Sequence, residues 1–230
     1  MEILELRLLT SALAAQRTFY EEVLGLHVTA ETAGSFTLQV GSTRLVFEAT
    51  TQDEPTYHIA FNIPPEKMAQ AKEWLATRAT LLTRDGQDEF NFTSWNAKSV
   101  YFFDPAGNVL EFIARQDVSN KAAGPFGPQD FLSVSEIGLP VDDVPARADE
   151  LTTMLRIEPY KDQYDVFAPL GDEHGLFIVV NIGRAWFPTT TTLSVAAPLR
   201  VTLRGRRPER HCLTLLPYDI DVAAAEEEPE

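Results

Sequence analysis

Residues 57–63, YHIAFNI, carry the pattern on which the fold turns. A polar residue, His58, opens a short run in which large apolar side chains recur at every second position, the period of a strand. The same frame occurs twice more, as Glu5-Leu6-Arg7-Leu8 and as Glu136-Ile137-Gly138-Leu139. A chain that restarts in this way is built of repeated modules, and the repeat decides the architecture.

The elements behind each start repeat as well. After the strand at 3–10, SALAAQRTFYEEVL (11–24) switches to helical spacing, with Ser11 as N-cap and Gly25 as stop. Strands are expected over 26–31, 35–40 and 44–50, with turns at Gly34-Ser35 and Gly41-Ser42. After 57–63, Pro64-Pro65 precedes an amphipathic helix over 66–78. Strands then read over 79–86, 89–95, 99–103 and 108–114, the last two joined by a turn at 104–107. Residues 1–116 thus form two β-α-β-β-β modules. Residues 117–130, DVSNKAAGPFGPQD, read as a linker. A third, degenerate module occupies 131–220, with a helix over 143–155 capped by Asp142 or Asp143 and strands at 164–171, 175–181, 199–205 and 211–220. Residues 221–230 read as an acidic, disordered tail.

The chain has 230 residues, 44% of them hydrophobic and 23% charged, which fits a globular α+β protein and excludes wholesale disorder. No apolar run reaches the roughly 20 residues of a membrane helix. The start, MEILELRLLT, lacks the basic region of a secretory signal, so a cytoplasmic protein is expected. The net charge of -15 repels phosphate backbones and argues against nucleic acid as a partner. Cys212 is the only cysteine. It excludes an intrachain disulfide or a CxxC metal motif, and its apolar strand context reads as an inert buried thiol. No P-loop, Rossmann fingerprint or GxSxG elbow is present.

Three segments carry a resemblance: FYEEVLGL (19–26), YHIAF (57–61) and, most specifically, SVYFFDPAGNVLEF (99–112). Together they resemble the vicinal oxygen chelate superfamily of glyoxalase I, extradiol dioxygenases and fosfomycin-resistance proteins, in an uncharacterised glyoxalase-like subgroup. The resemblance covers residues 2–115 well and 131–216 as a degenerate module. It implies a cup-shaped mixed sheet made by the first two modules, with the third attached behind the linker. An odd number of modules leaves one face unpaired, so a homodimer is expected.

The resemblance also implies a divalent metal, Zn, Mn, Ni or Fe, held from first and last strands. Carried over residue by residue, the metal ligands fall on Glu5, His58, Glu48 and Glu111. Glu136 aligns with Glu5 and His58, but GLFIVVN (175–181) offers no second carboxylate, and the third module reads as having lost its own site. Imidazole and carboxylates suit such metals. The alternatives stay open: Arg7 shares a strand face with Glu5 and could pair with it, and His58 could be a hydrogen-bonded core histidine.

The implied activity is that of a glyoxalase-like lyase or isomerase on a small oxygenated metabolite, with Glu5 or Glu111 moving a proton beside a carbonyl. Arg7, Asn62, Phe92, Trp95 and Tyr101 are the substrate-binding candidates. A metal-free small-molecule binding protein with an aromatic cup is the alternative. An extradiol dioxygenase is a second one, disfavoured because His58 alone of the four histidines lies at a ligand position.

Overall fold

The computed structural model describes residues 1–51, 54–118, 123–161, 163–205, 209–212 and 217–224. The side chain of Cys212 and the acidic residues 225–230 lie outside the described part, while 221–224, expected as tail, belong to a strand.

Fourteen strands and three α-helices are formed among the described residues. The first module is β1 (Ile3–Thr10), α1 (Leu13–Thr18), β2 (Val28–Thr32), β3 (Ser35–Val40) and β4 (Thr43–Ala49). Helix α1 runs on into a wider π turn over Phe19–Val23, which buries Phe19 and Tyr20. Its cap is not the expected Ser11. Ala12 stands at the N-cap, and its own N–H donates to Thr10 Oγ1. The second module is β5 (His58–Asn62), α2 (Met68–Ala76), β6 (Phe90–Phe92), β7 (Ala97–Phe103) and β8 (Val109–Arg115). The strand expected over 79–86 shrinks to single bridges at Leu81 and Arg84. The third contains β9 (Ser133–Val141), α3 (Val144–Leu155), β10 (Phe167–Asp172) and β11 (Gly175–Asn181). Asp143 caps α3, accepting from the Ala146 N–H.

The remaining strands, β12 (Leu199–Gly205), β13 (Glu209–Cys212) and β14 (Tyr218–Ala224), do not extend the third module. They form a fourth, helixless unit. Two seven-stranded mixed sheets result, in the orders β13-β14-β12-β1-β4-β3-β2 and β10-β11-β9-β5-β8-β7-β6. In each module the first and last strands run parallel (β1 with β4, β5 with β8, β9 with β11, β12 with β14). Modules then meet antiparallel through their first strands, β1 against β12 and β5 against β9.

The first module therefore pairs with the fourth, and the second with the third. The expected cup of first and second modules is not the one formed. Because β12–β14 supplies a fourth unit within the chain, no second copy is needed to cover an odd module. The segment between β8 and β9 is also more than a spacer. Phe126 and Phe131 pack on Trp74 and Phe112, and Lys67 Nζ reaches Asp130 Oδ1 at 2.7 Å with both side chains buried.

Direct contacts tie the sheets together. Tyr57 Oη donates to the Pro198 carbonyl at 2.7 Å, and Tyr218 Oη to that of Pro140 at 2.6 Å. Thr43 Oγ1 donates to the Ile3 carbonyl and accepts from the Val134 N–H. At the turn before it, Gly41 has φ +54°, and any Cβ there would lie 2.0 Å from the Leu132 carbonyl oxygen, so only glycine fits. The aspartate of the DPAGN hairpin organises another joint. Asp104 accepts from the N–H groups of Ala106 and Asn108 and from the side chains of Gln16, Tyr20 and Asn108, pinning the first helix to the second module. Among the described residues no helix is long and apolar enough to cross a membrane.

Candidate metal centre

The second sheet brings three ionisable side chains to one point. His58 is on β5, Glu111 on the parallel neighbour β8 and Glu136 on the antiparallel neighbour β9. Register explains the convergence: Glu111 and Glu136 both stand opposite Ala60, two residues from His58 on the same face. Ala60 is small enough to leave the space between them open. His58 Nε2 lies 3.5 Å from Glu111 Oε2 and 3.6 Å from Glu136 Oε2. One ligand atom from each residue can be chosen so that all lie within 4.8 Å of one another.

The imidazole is oriented for ligation. Its Nδ1 sits 3.1 Å from the Val109 carbonyl, which can only accept, so Nδ1 carries the hydrogen and Nε2 faces the carboxylates. Trp186 lies against the ring with centroids 5.0 Å apart. That approach depends on Gly138, where a Cβ would meet Trp186 at 2.5 Å.

All three residues are buried, and so is Arg115, whose Nη2 bonds Glu136 Oε1. Among the described residues Arg115 pairs with one carboxylate, and the other has no guanidinium or ammonium bonded to it, only the His58 imidazole at 3.5 Å. Burial, and then the charge of Glu136, push the Glu111 carboxyl up to about 7. Burial works against a charged His58, but the Glu136 hydrogen bond and the two carboxylate charges outweigh it and raise its pKa. Tyr101, across from Glu111 in register, is held well above the usual phenol range by burial and by both carboxylates. The donor set fits a divalent cation: one aimed imidazole nitrogen and two carboxylates carry more negative charge than the protein compensates.

The centre lies at the side of a cavity of about 350 Å³. Phe92, Trp95, Tyr101, Trp186 and Phe187 are among its lining residues, and among the described residues Arg184 is the one guanidinium that lines it.

Of the residues expected from sequence, the structure gathers His58 and Glu111 with Phe92, Trp95 and Tyr101. It places Glu5, Glu48 and Arg7 in the other sheet. There Arg7 lies 2.5 Å from Glu5 Oε1 and 2.8 Å from Glu48 Oε1, and Arg44 also pairs with Glu5. Guanidinium groups occupy the place a cation would take beside those carboxylates. Asn62 shares the face of His58 but donates to the Glu173 carbonyl and lines a separate, smaller hollow. Glu136 takes the position expected of Glu5. Its signal was the alignment of Glu136 with His58 at the start of each module; what was missing was that β9, not β1, pairs with β5. Arg115 and Arg184 had no comparable sequence signal.

Residues 6–113 match the family model of the glyoxalase-like domain. That match spans a little under half of the chain, over its first two modules. No curated protein is similar to it in sequence. Among solved structures, a candidate dioxygenase from Bacillus subtilis subsp. subtilis str. 168 aligns over 96% of this chain and 85% of its own at 16% identity, with TM-score 0.62. A glyoxalase I variant from Zea mays aligns over 97% and 92% at 12% identity, with TM-score 0.57. These likenesses show that the whole chain shares their fold. The fosfomycin resistance protein FosX from Listeria monocytogenes, complexed with Mn(II), aligns over 48% of this chain and 87% of its own at 17% identity and TM-score 0.39, too distant to speak for this site.

Proposed function

We propose that the chain is a glyoxalase-like metalloenzyme of the lyase or isomerase type, acting on a small oxygenated metabolite, with a divalent metal held by His58, Glu111 and Glu136. The observation that carries this reading is the convergence of an oriented imidazole and two buried carboxylates beside a cavity, with a guanidinium bonded to only one of the two among the described residues. A divalent cation held there supplies Lewis acidity to the oxygens of a bound carbonyl substrate.

The chain's own residues divide the remaining work. Arg115 holds Glu136 in place as an anion. Glu111, which lines the cavity and has no guanidinium bonded to it among the described residues, is suited to take a proton from the carbon beside a carbonyl and return it to the neighbouring carbon. In the first step the C–H electron pair becomes a carbon–carbon double bond as the carbonyl pair moves onto its oxygen; in the second the double-bond pair takes the proton at the neighbouring carbon, while the hydroxyl on the first carbon passes its proton to that oxygen and becomes the new carbonyl. The Tyr101 phenol keeps its hydrogen across the physiological range and is available as a donor to the oxygen that gains charge. The aromatic walls exclude water from the reacting carbon.

One observation favours a second reading. Arg115 already neutralises part of the charge, and the cavity walls are largely aromatic, as a metal-free ligand-binding cup would require. Ring cleavage by iron is less well supported, since its usual triad has two histidines and one carboxylate and here the ratio is reversed.

Elemental analysis of tag-free protein purified without chelator separates these readings. Near-stoichiometric metal in wild type and in Glu5→Ala, with loss in His58→Ala and Glu136→Ala, is the expected result. Absence of metal from wild type, with no uptake on titration, would leave the binding protein as the better reading.

A further inference from the structure

We propose that Arg184 is the anchor for an anionic group on the ligand, so that the cavity takes an aromatic or similarly flat molecule with adjacent oxygens at one end and a carboxylate or equivalent anion at the other. The orientation of that ligand rests on the proposed metal centre.

Arg184 is partly buried at the cavity wall and has no carboxylate partner among the described residues, on a chain of net charge -15. Its guanidinium lies 5.2 Å over the Phe167 ring, and burial there lowers its pKa. A cation that gives up hydration without gaining an ion pair is poised for an incoming anion. Arg84 lies 5.4 Å over Phe187, another residue of the cavity wall.

Arg184 and the metal-binding residues line one cavity. Ala185 forms a single bridge to Leu193, and the residues on either side of it, Arg184 and Trp186, both line that cavity. Trp186 lies against His58 while the Arg184 guanidinium lies over Phe167, so the anchor and the metal-binding end sit at different parts of the wall. The walls are largely aromatic, and Trp186 Nε1 is buried with no acceptor among the described residues. In the opposite orientation the anion leaves Arg184 without a partner.

The test compares 3,4-dihydroxybenzoate with catechol, which share the vicinal hydroxyls and differ in the far carboxylate. Titration calorimetry on the manganese-loaded full chain is expected to show the carboxylated probe binding about tenfold tighter or better. Arg184→Gln should abolish that preference while leaving catechol affinity unchanged, and Arg184→Lys should restore part of it. Equal binding of the two probes by wild type, failure of both to bind at millimolar concentration, or an unchanged preference in Arg184→Gln overturns the proposal. Repeating the titrations after metal removal distinguishes failure of the anchor from failure of the metal centre. If catechol binds equally with and without metal while the carboxylate preference persists, the metal centre is refuted and the Arg184 anchor stands.

Discussion

Glu111 and Glu136 face the same residue, Ala60, from the two strands that flank β5. Two carboxylates are thereby held side by side in a buried place, with Arg115 bound to Glu136 and Glu111 left over. Such a pair is costly unless a proton or a cation joins it.

Without metal, the proton is the available partner. The folded-state pKa of Glu111, about 7, lies above its ordinary 4.5, and that of His58 is also raised. Between those values the folded chain holds a proton that the unfolded chain releases, so stability falls as pH rises from about 5 to 7. The chelator-treated protein should melt higher at pH 5.5 than at pH 8, and Glu111→Gln should flatten that slope. A wild-type slope of opposite sign, or one untouched by Glu111→Gln, would show that Glu111 is not the group in deficit. Metal uptake at pH 6 should release protons, measurable in weakly buffered solution with an indicator dye.

Arg115 tests the other half of the balance. Arg115→Met removes the buried partner of Glu136 and leaves two uncompensated carboxylates, at an expected cost of about 3–5 kcal/mol in chelator. A divalent cation should recover part of that loss, because it binds the same carboxylates. Urea unfolding with EDTA and with manganese, on wild type and variant, measures both quantities. A variant whose loss is the same in the two conditions would place the cation elsewhere.

Much of this centre is legible in the sequence, and the rest is hidden for a specific reason. Period-two runs and turn residues mark the strands, and the equivalence of Glu5, His58 and Glu136 marks the start of each module. His58 and Glu111 can be read from one module alone, because the parallel pairing of β5 with β8 is internal to it. Glu136 depends on which module docks against β5, and that is a contest between surfaces. The β12–β14 unit, which has no helix to announce it, pairs with β1 and leaves β9 for β5. Glu5 and Glu48 are then excluded from the site by topology, although their residue types and positions suit it. Arg7, two residues from Glu5, fills their place with a guanidinium. The lost strand at 79–86 has a similar cause: Leu81 meets β7 only at Phe102, and local strand propensity yields to tertiary packing.

The glycine in Glu136-Ile137-Gly138-Leu139 links the repeat to the site. Where the first module has Arg7 and the second Ala60, the third has no side chain, and Trp186 occupies the vacated space over His58. In Gly138→Ala the new methyl would lie 2.5 Å from Trp186 and 3.3 Å from the His58 Cβ. The backbone of β9 admits alanine, so the strain falls on the indole, at a cost of about 1–3 kcal/mol for overpacking. Displacement of Trp186 should shift the tryptophan emission toward that of a wetter indole and weaken aromatic ligands. Metal content should be retained, since His58, Glu111 and Glu136 keep their strands. Fluorescence, thermal melting and elemental analysis on this one variant separate cavity shape from metal ligation. Loss of metal together with the emission shift would mean that the indole, pressed on the imidazole, is needed to hold His58 in its ligating orientation.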